Sequence, residues 1–324
     1  MINSVRNTVL SVLNKNNYGY ISPSDFNLYA KQAQMEIFEE YFSNYNKLIN
    51  GQNSRAVGSD YADLLKANEE VIEFFLVSKY LFPKTRYQFD TATYDPYNAY
   101  FPPSLITTGD EAFMINKITL YTQKIHQGVN DFIDPALPYS MFDNASNFVA
   151  LQVKSGDIIF NTTTMMYAVI TGVTVHQLYL DTINVFENTD EGYVIYRSSS
   201  YTEFEKVTEG KIYSLNSSNL TKPTITYPAY TMTEASVNVY PDTISGYGAV
   251  QATYFRYPKD PKWTYISLTG GEPSFDQSQP DYQDFELPLE DEYKLAMKIL
   301  QYCGISIRET QVTQFAIAKE QQPQ

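Results

Sequence analysis

Apolar residues recur at helical spacing near both ends of the chain. Residues 2–13 predict a short amphipathic helix, and residues 60–80 predict a longer one that Pro83 ends. The helical period returns at Pro288 and continues to Gly304, a residue type that commonly ends a helix. Helices are therefore expected at both ends, followed by a last amphipathic segment near the C-terminus.

A further helix, predicted from Pro23 to about residue 45, carries two apolar stripes instead of one. The first has the spacing of a helix face that packs against the rest of a fold, and Phe38 and Phe42 form the second beside it. Each stripe requires a neighbour to cover it. We therefore predict Phe38, Phe42 and the nearby Tyr45 as contacts between subunits.

Between the helical ends the pattern becomes that of β-strands. Segments rich in Val, Ile, Thr, Tyr and Phe are separated by turns of Gly, Asn, Asp and Pro. The segments are residues 147–161, 165–188, 192–198, 211–215 and 248–258. Residues 84–112, which contain several prolines, and residues 269–284 are predicted to be extended or irregular.

Together these patterns predict an α+β fold. Helices from both ends would form one helical bundle, and a large β-rich module would be inserted into it. Residues 1–83 are the predicted N-terminal part of the bundle, and residues 84–280 are the β-rich insertion. Residues 281–324 are the C-terminal part of the bundle, together with a tail.

The segment NKNNYGYISPSDF, between the first two predicted helices, has the length of a calcium-binding loop. Numbered from Asn14, it places Gly19 where such a loop turns sharply and Asp25 where its closing carboxylate lies. However, Asn14, Asn16 and Tyr18 occupy positions at which the ion is normally bound by several carboxylates. Calcium binding by this segment is therefore disfavoured.

The same segment has a structural interpretation. Ser22 is a suitable N-cap for the second helix, Pro23 suits its first position, and Asp25 completes a capping box. We therefore interpret the segment as a turn between helices and predict no metal site there.

Few residues in the chain suit catalysis. Cys303 is the only cysteine, so no intrachain disulfide can form, and His126 and His176 lie in no zinc-ligand spacing. The adjacent carboxylates Glu39 and Glu40 are more typical of a solvated helix face than of a glycosidase acid and base. We therefore predict neither a cofactor nor enzymatic activity.

The net charge of −14 disfavours tight binding of nucleic acids, since phosphate contacts need a basic surface. An acidic protein can nevertheless surround DNA without gripping it, because like charge keeps the polyanion mobile. No uncharged apolar run approaches the roughly 18 residues of a membrane span, and the N-terminus lacks signal-peptide features. The protein is therefore expected on the cytoplasmic side of any membrane, where the NTT triplet at Asn161 has no meaning for glycosylation.

Tyrosine is unusually frequent, with 29 residues, whereas Trp263 is the only tryptophan. Large amphipathic side chains suit interfaces between subunits, and they also stack against sugars. A tail-associated glycan-binding or receptor-binding module is therefore an alternative hypothesis to an interface protein.

Three stretches carry a resemblance to a known family. They are the opening MINSVRNTVLSVLNKNNYGYISPSDFNLYAKQAQMEIFEEYF, the internal VYPDTISGYGAVQATYFRYPKDPKW and the closing YKLAMKILQYCGISIRETQVTQFA. Together they resemble structural proteins of crAss-like bacteriophages and their relatives. Those proteins are head-to-tail connectors, the ring or adaptor proteins stacked below the portal. The resemblance covers both helical ends and part of the β-rich middle.

The resemblance implies a helical-bundle adaptor of the virion neck, similar to the T7-like tail tubular gatekeeper protein and assembled in the cytoplasm of a bacterial host. Such a subunit forms a dodecameric ring, contacts further tail ring proteins, and lets DNA pass without sequence-specific binding. It also implies that C-terminal segments dock against the portal protein. The corresponding candidates here are Ile305, Ile307, Arg308, Val312, Phe315 and Ile317.

Overall fold

The computed structural model describes residues 1–14, 21–53, 61–88, 93–134, 136–267 and 273–306. Contacts divide the chain into two units, which we call the helical unit (Met1–Phe75 with Tyr257–Gln324) and the β-rich unit (Leu76–Arg256). Helices and several mostly antiparallel sheets in the described residues place the chain in the α+β class.

The helices are α1 (Ile2–Asn14), α2 (Pro23–Asn53), α3 (Tyr61–Glu73), α4 (Glu209–Asn216) and α5 (Glu292–Ser306), with a 3-10 turn at Leu289–Asp291. The strands are β1 (Leu76–Tyr80), β2 (Pro83–Gln88), β3 (Thr93–Tyr100), β4 (Ala112–Tyr121), β5 (Lys124–Val129), β6 (Ser140–Phe142), β7 (Ile158–Asn161), β8 (Tyr167–Val173), β9 (Gln177–Leu180), β10 (Gly192–Tyr196), β11 (Tyr201–Glu203), β12 (Glu205–Lys206), β13 (Ala229–Met232), β14 (Val237–Tyr240), β15 (Val250–Arg256), β16 (Tyr265–Ser267) and β17 (Pro273–Phe275).

In the helical unit, α5 packs against both α1 and α2, and α3 packs against α2. The predicted apolar faces form the contact, since the side chains that face the interior are almost fully buried. They are Ile2, Val5 and Val9 of α1, Ala30, Ala33 and Ile37 of α2, and Leu295, Ile299 and Leu300 of α5. Burial of these faces, rather than helix propensity alone, stabilises helices of this length.

Two ion pairs join α2 to α5, and we call them the Glu–Lys ladder. Lys298 Nζ lies 3.2 Å from Glu36 Oε2, and Lys294 Nζ lies 2.8 Å from Glu40 Oε2. Because the residue numbers rise along one helix as they fall along the other, the two helices are antiparallel. The spacing of four residues on each helix puts both pairs on one face. Glu40 therefore has a structural partner.

The segment after residue 256 is held to the helices by its tryptophan. Trp263 is buried, its indole stacks on the rings of Tyr265 and Phe275, and the Arg6 guanidinium lies 3.8 Å from its ring centroid. The indole N–H donates to Asn3 Oδ1 at 3.1 Å. These contacts explain why this segment belongs to the helical unit, although the sequence pattern assigned it to the β-rich insertion.

The described residues of the β-rich unit form three sheets. Their strand orders are β1-β15-β4-β11, β5-β10-β7-β8-β9-β6 and β12-β13-β14-β3-β2. The pairing of β12 with β13 is parallel, and the other pairs between the named strands are antiparallel. The two larger clusters of buried side chains among its described residues lie around Tyr100, Val250 and Tyr254 and around Phe148 and Ile195.

Two predicted elements have the wrong type. Residues 76–80, predicted as the end of a helix, form β1, because they pair with β15 from Leu76↔Phe255 to Tyr80↔Gln251. Residues 211–215, predicted as a strand, lie in α4, which begins after Thr208 and buries Ile212. A short segment with one buried side chain fits either pattern, and its neighbours decide between them.

Other boundaries also differ from the predictions. α2 continues to Asn53, because the apolar spacing persists beyond residue 45, and α5 continues past Gly304 to Ser306. The region 84–112 is not irregular throughout, since it contains most of β2 and all of β3. Residues 273–275 form a hairpin strand within the predicted loop.

Candidate functional site

The predicted subunit contacts lie along one stripe of α2. Phe38 is fully buried, and its ring centroid lies 5.0 Å from that of Phe75 in the same unit. Phe42 and Tyr45 are half-buried, and the Tyr45 hydroxyl donates to Glu69 Oε1 at 3.2 Å. The first residue of the stripe is therefore covered within its own chain, while the following two are partly exposed.

The predicted portal-docking residues lie at or beyond the end of α5. Ile305 belongs to the last turn of this helix. The remaining candidates lie outside the described residues, and they are Ile307, Arg308, Val312, Phe315 and Ile317.

The loop with calcium-binding length is only partly described. Asn14 ends α1, and Asn16 and Gly19 lie outside the described residues. Asp25 lies in the first turn of α2, where its backbone N–H donates to Ser22 Oγ at 3.2 Å and its carboxylate accepts from the same hydroxyl at 2.6 Å. Ser22 thus caps the helix as predicted. The described residues contain no group of His, Cys, Asp and Glu that could hold a metal ion.

A buried polar cluster in the β-rich unit contains serine, histidine and aspartate. Ser146 Oγ donates to Asp143 Oδ2 at 2.6 Å and lies 2.7 Å from His126 Nε2, and the Tyr193 hydroxyl also donates to Asp143 Oδ2. Burial alone would raise the pKa of Asp143, but hydrogen bonds from Ser146, Tyr193 and the Ala145 backbone outweigh it and lower the pKa.

The hydrogen bonds of this cluster do not follow the order that nucleophilic catalysis requires. A serine nucleophile must donate its proton to the imidazole, which the carboxylate orients. Here Ser146 lies between His126 and Asp143, and its hydroxyl donates its hydrogen bond to the carboxylate. Ser146 and Asp143 are also almost fully buried. The cluster therefore acts as a structural network of the six-stranded sheet and its neighbouring turns.

Cys303 has an equally structural environment. Its side chain is almost fully buried in α5, and burial raises the pKa of its thiol to about 12. The thiol therefore stays protonated at neutral pH, which makes it a poor nucleophile and a poor metal ligand.

The β-rich unit also contains an open cleft of about 420 Å³. One side of the cleft is formed by β1 and Phe82, and a second side by the loop 101–111. The third side is formed by the β7–β8 turn and the residues that follow β9. The lining residues are Lys79, Tyr80, Phe82, Thr107, Thr108, Met165, Met166, Tyr167, Asp181 and Thr182. This volume lies within the range of small-molecule sites, roughly 300–1,000 Å³.

A buried network fixes the β7–β8 turn that carries the two methionines. Asn161 Oδ1 accepts from the backbone N–H groups of Thr163 and Thr164 at 2.8 and 3.1 Å. Asn161 Nδ2 donates to Glu191 Oε2 at 2.7 Å. Because Asn161 is fully buried and its amide is used in this way, its NTT triplet is a turn-forming element.

The loop on the other side of the cleft is also held by hydrogen bonds. The backbone N–H groups of Thr107 and Thr108 both donate to the Ser104 carbonyl, at 3.1 and 2.9 Å. The Tyr254 hydroxyl donates to Thr108 Oγ1 at 3.0 Å. Two walls of the cleft are thus built on satisfied polar networks, which is typical of a preformed site.

Sequence reasoning did not identify the cleft. Its residues come from four separate stretches, and no short motif joins Tyr80 to Tyr167 or Asp181. The aromatic richness of the strands was the available signal, and it indicates an interaction surface without locating one.

Among the described residues, no helix combines the length and the apolar character that crossing a bilayer requires. Comparison with known protein families and with curated proteins finds no match for this chain.

Proposed function

We propose that the protein is a non-enzymatic structural subunit of a phage virion, a ring-forming head-to-tail connector that links the portal to the tail. The observation that carries the proposal is the apolar stripe of α2. It begins at the fully buried Phe38 and continues through Phe42, Tyr45 and Ile49, which are half-buried. A stripe that extends beyond the core of its own chain suits a contact with a second copy.

The length of α2 supports the same proposal. Its 31 residues extend about 46 Å at the rise of an α-helix, so the helix can contact α3 and α5 of its own unit and still offer part of its length to a neighbouring subunit. A heterologous contact of this kind, repeated around an axis, closes into a ring, and we propose a dodecamer. In this proposal the helices from both chain ends form the helical bundle of the connector.

The proposed partners are those that the resemblance implies. Residues 305–324 are the proposed docking segment for the portal, and further tail ring proteins are the other proposed neighbours. The net charge of −14 would let DNA pass through the ring without specific binding. The proposed location is the virion neck, after assembly in the host cytoplasm.

Light scattering tests the proposal through the mass of the purified chain, alone and mixed with the portal protein of the same virus. We expect a closed oligomer, either alone or on the portal. Tyr45→Arg and Ile49→Glu should weaken it, because each puts a charge into the apolar stripe. Lys47→Glu is the matched control, since it changes the charge of an exposed residue of the same helix.

A truncation after Ser306 keeps α5 and removes only residues 307–324. We expect this variant to lose the portal complex while keeping its helical content by circular dichroism. The proposal would be contradicted by a chain that stays monomeric when it is mixed with the portal protein. An oligomer whose mass is unchanged by both stripe substitutions would also contradict it.

A further inference from the structure

We propose that the cleft of the β-rich unit binds a neutral saccharide. This proposal is independent of the connector function, since it depends only on residues 79–182 of the β-rich unit. Its basis is a concave surface that combines aromatic and thioether groups with polar groups whose hydrogen-bonding capacity is only partly used.

The apolar part of the cleft comes from Tyr80, Phe82, Met165 and Tyr167. The rings of Tyr80 and Tyr167 lie edge to face, with centroids 4.7 Å apart and an interplanar angle of 70°. Tyr80 is almost fully buried, so it supports from behind the half-buried ring of Tyr167, which lies at the cleft surface. The C–H face of a sugar ring is apolar and packs against surfaces of this kind.

Asp181 supplies a fixed hydrogen-bond acceptor. Its Oδ1 accepts from the Val169 backbone N–H at 2.8 Å and from Thr182 Oγ1 at 3.0 Å. Its Oδ2 accepts no hydrogen bond from the described residues. The two bonds to Oδ1 orient the carboxylate, so Oδ2 is left for a ligand hydroxyl.

Two donors complement this acceptor. The Tyr167 hydroxyl has no hydrogen-bond partner among the described residues. Burial, and then the charge of Asp181, raise the pKa of this hydroxyl, so it remains a donor at neutral pH. Lys79 Nζ lies 3.7 Å from Asp110 Oδ2, which is an ion pair longer than a hydrogen bond, so its N–H groups are available.

This combination selects among ligand classes. An apolar side chain would cover the acceptor and the donors without satisfying them, which costs free energy. An anionic ligand would meet the Asp181 and Asp110 carboxylates in a chain that already carries a net charge of −14. Sugar hydroxyls both donate and accept, so a neutral saccharide satisfies all three groups.

The test is a glycan array probed with the full-length chain. The array contains neutral hexose, N-acetylhexosamine and deoxyhexose oligosaccharides, with sialylated and sulfated members alongside. We expect retention on at least one neutral class, followed by titration calorimetry with that oligosaccharide to obtain the dissociation constant.

Two substitutions test whether the saccharide binds in the cleft. Asp181→Asn keeps an oxygen for the Val169 N–H but replaces the free acceptor by a donor, and Tyr167→Phe removes only the hydroxyl. We expect each to weaken binding about tenfold or more. The matched controls are Asp242→Asn and Tyr201→Phe, which change exposed residues outside the cleft and should leave the dissociation constant unchanged.

Tyr167→Phe keeps the test decisive if Asp181→Asn perturbs folding, which circular dichroism would reveal. Retention of no array member, retention of anionic members only, or binding unchanged in Tyr167→Phe and a folded Asp181→Asn would each overturn the proposal.

Discussion

Replacing Asp143 by Asn should destabilise the β-rich unit by about 3 kcal/mol at neutral pH. The two carboxylate oxygens of Asp143 have different partners. Oδ1 accepts from the backbone N–H groups of Ala145 and Ser146 at 2.8 and 3.1 Å, while Oδ2 accepts from the hydroxyls of Ser146 and Tyr193. Asparagine keeps the first two bonds, but its amide nitrogen cannot accept the second two.

The magnitude follows from these two lost bonds. A hydrogen bond to a charged group contributes about 1.5–3 kcal/mol, and the hydroxyls can turn to accept from the new amide, so the lower value applies to each. For a unit of about 180 residues, a loss of 3 kcal/mol lowers the melting temperature by about 6–12 °C.

The effect should depend on pH with a defined sign. The pKa of Asp143 is lower in the folded chain than in the unfolded chain, where it is about 3.9. The ionised carboxylate therefore stabilises the fold above about pH 4, and this stabilisation is lost as the pH falls through the folded pKa. The difference between the wild type and Asp143→Asn should shrink under those conditions.

Urea unfolding between pH 7 and pH 3, followed by circular dichroism, measures both effects. Hydrogen exchange with mass spectrometry should place the loss of protection in residues 140–196. Asp242→Asn, at an exposed position, is the control. A difference at pH 7 below about 0.5 kcal/mol, the range of ordinary surface substitutions, would refute the reasoning. So would a difference that does not shrink in acid.

Three further substitutions test the fold at other points. Glu36→Lys should cost about 2 kcal/mol because it breaks the Glu–Lys ladder at the buried Lys298, and adding Lys298→Glu should restore part of the loss in a double-mutant cycle measured by urea unfolding. Gly248→Ala should cost about 2–3 kcal/mol, since its φ is +69° and a Cβ would lie 2.9 Å from a β7 side chain. Gly210→Ala is the control and should be neutral or stabilising, because open space surrounds this glycine. Thermal unfolding compares the two variants. Ser22→Ala should lower the melting temperature through the loss of about 1 kcal/mol from the helix cap.

The sequence pattern locates the helices near the chain ends because each has a long apolar face with a clear period. α1 and the start of α2 at Pro23 agree with the prediction, and Ser22 caps α2 as expected. These features depend on residues that are close together in the chain. Local spacing and capping chemistry are therefore sufficient to predict them.

The errors occur where a distant partner decides the structure. Residues 76–80 have a helix-compatible pattern and become a strand only because β15, roughly 170 positions later, pairs with them. Trp263 likewise joins the helical unit through Arg6 and Asn3. Propensity contains no information about such contacts.

The cleft could not be predicted for the same reason. Tyr80, Tyr167 and Asp181 become neighbours through sheet pairing and turn geometry, and neither follows from the composition of a segment. The Ser146 cluster illustrates the converse, since its residue types suggest catalysis and only the order of the hydrogen bonds shows that the network is structural.

The helical unit is assembled from two ends of the chain, with about 180 residues of the β-rich unit between them. During synthesis, α1 and α2 leave the ribosome long before α5, which covers their apolar faces. At about 5–20 residues per second, the intervening segment alone takes roughly 10–40 s to synthesise. The apolar faces of α1 and α2 that α5 will cover therefore stay exposed during this time. The β-rich unit is fully synthesised before α5, so it can fold first.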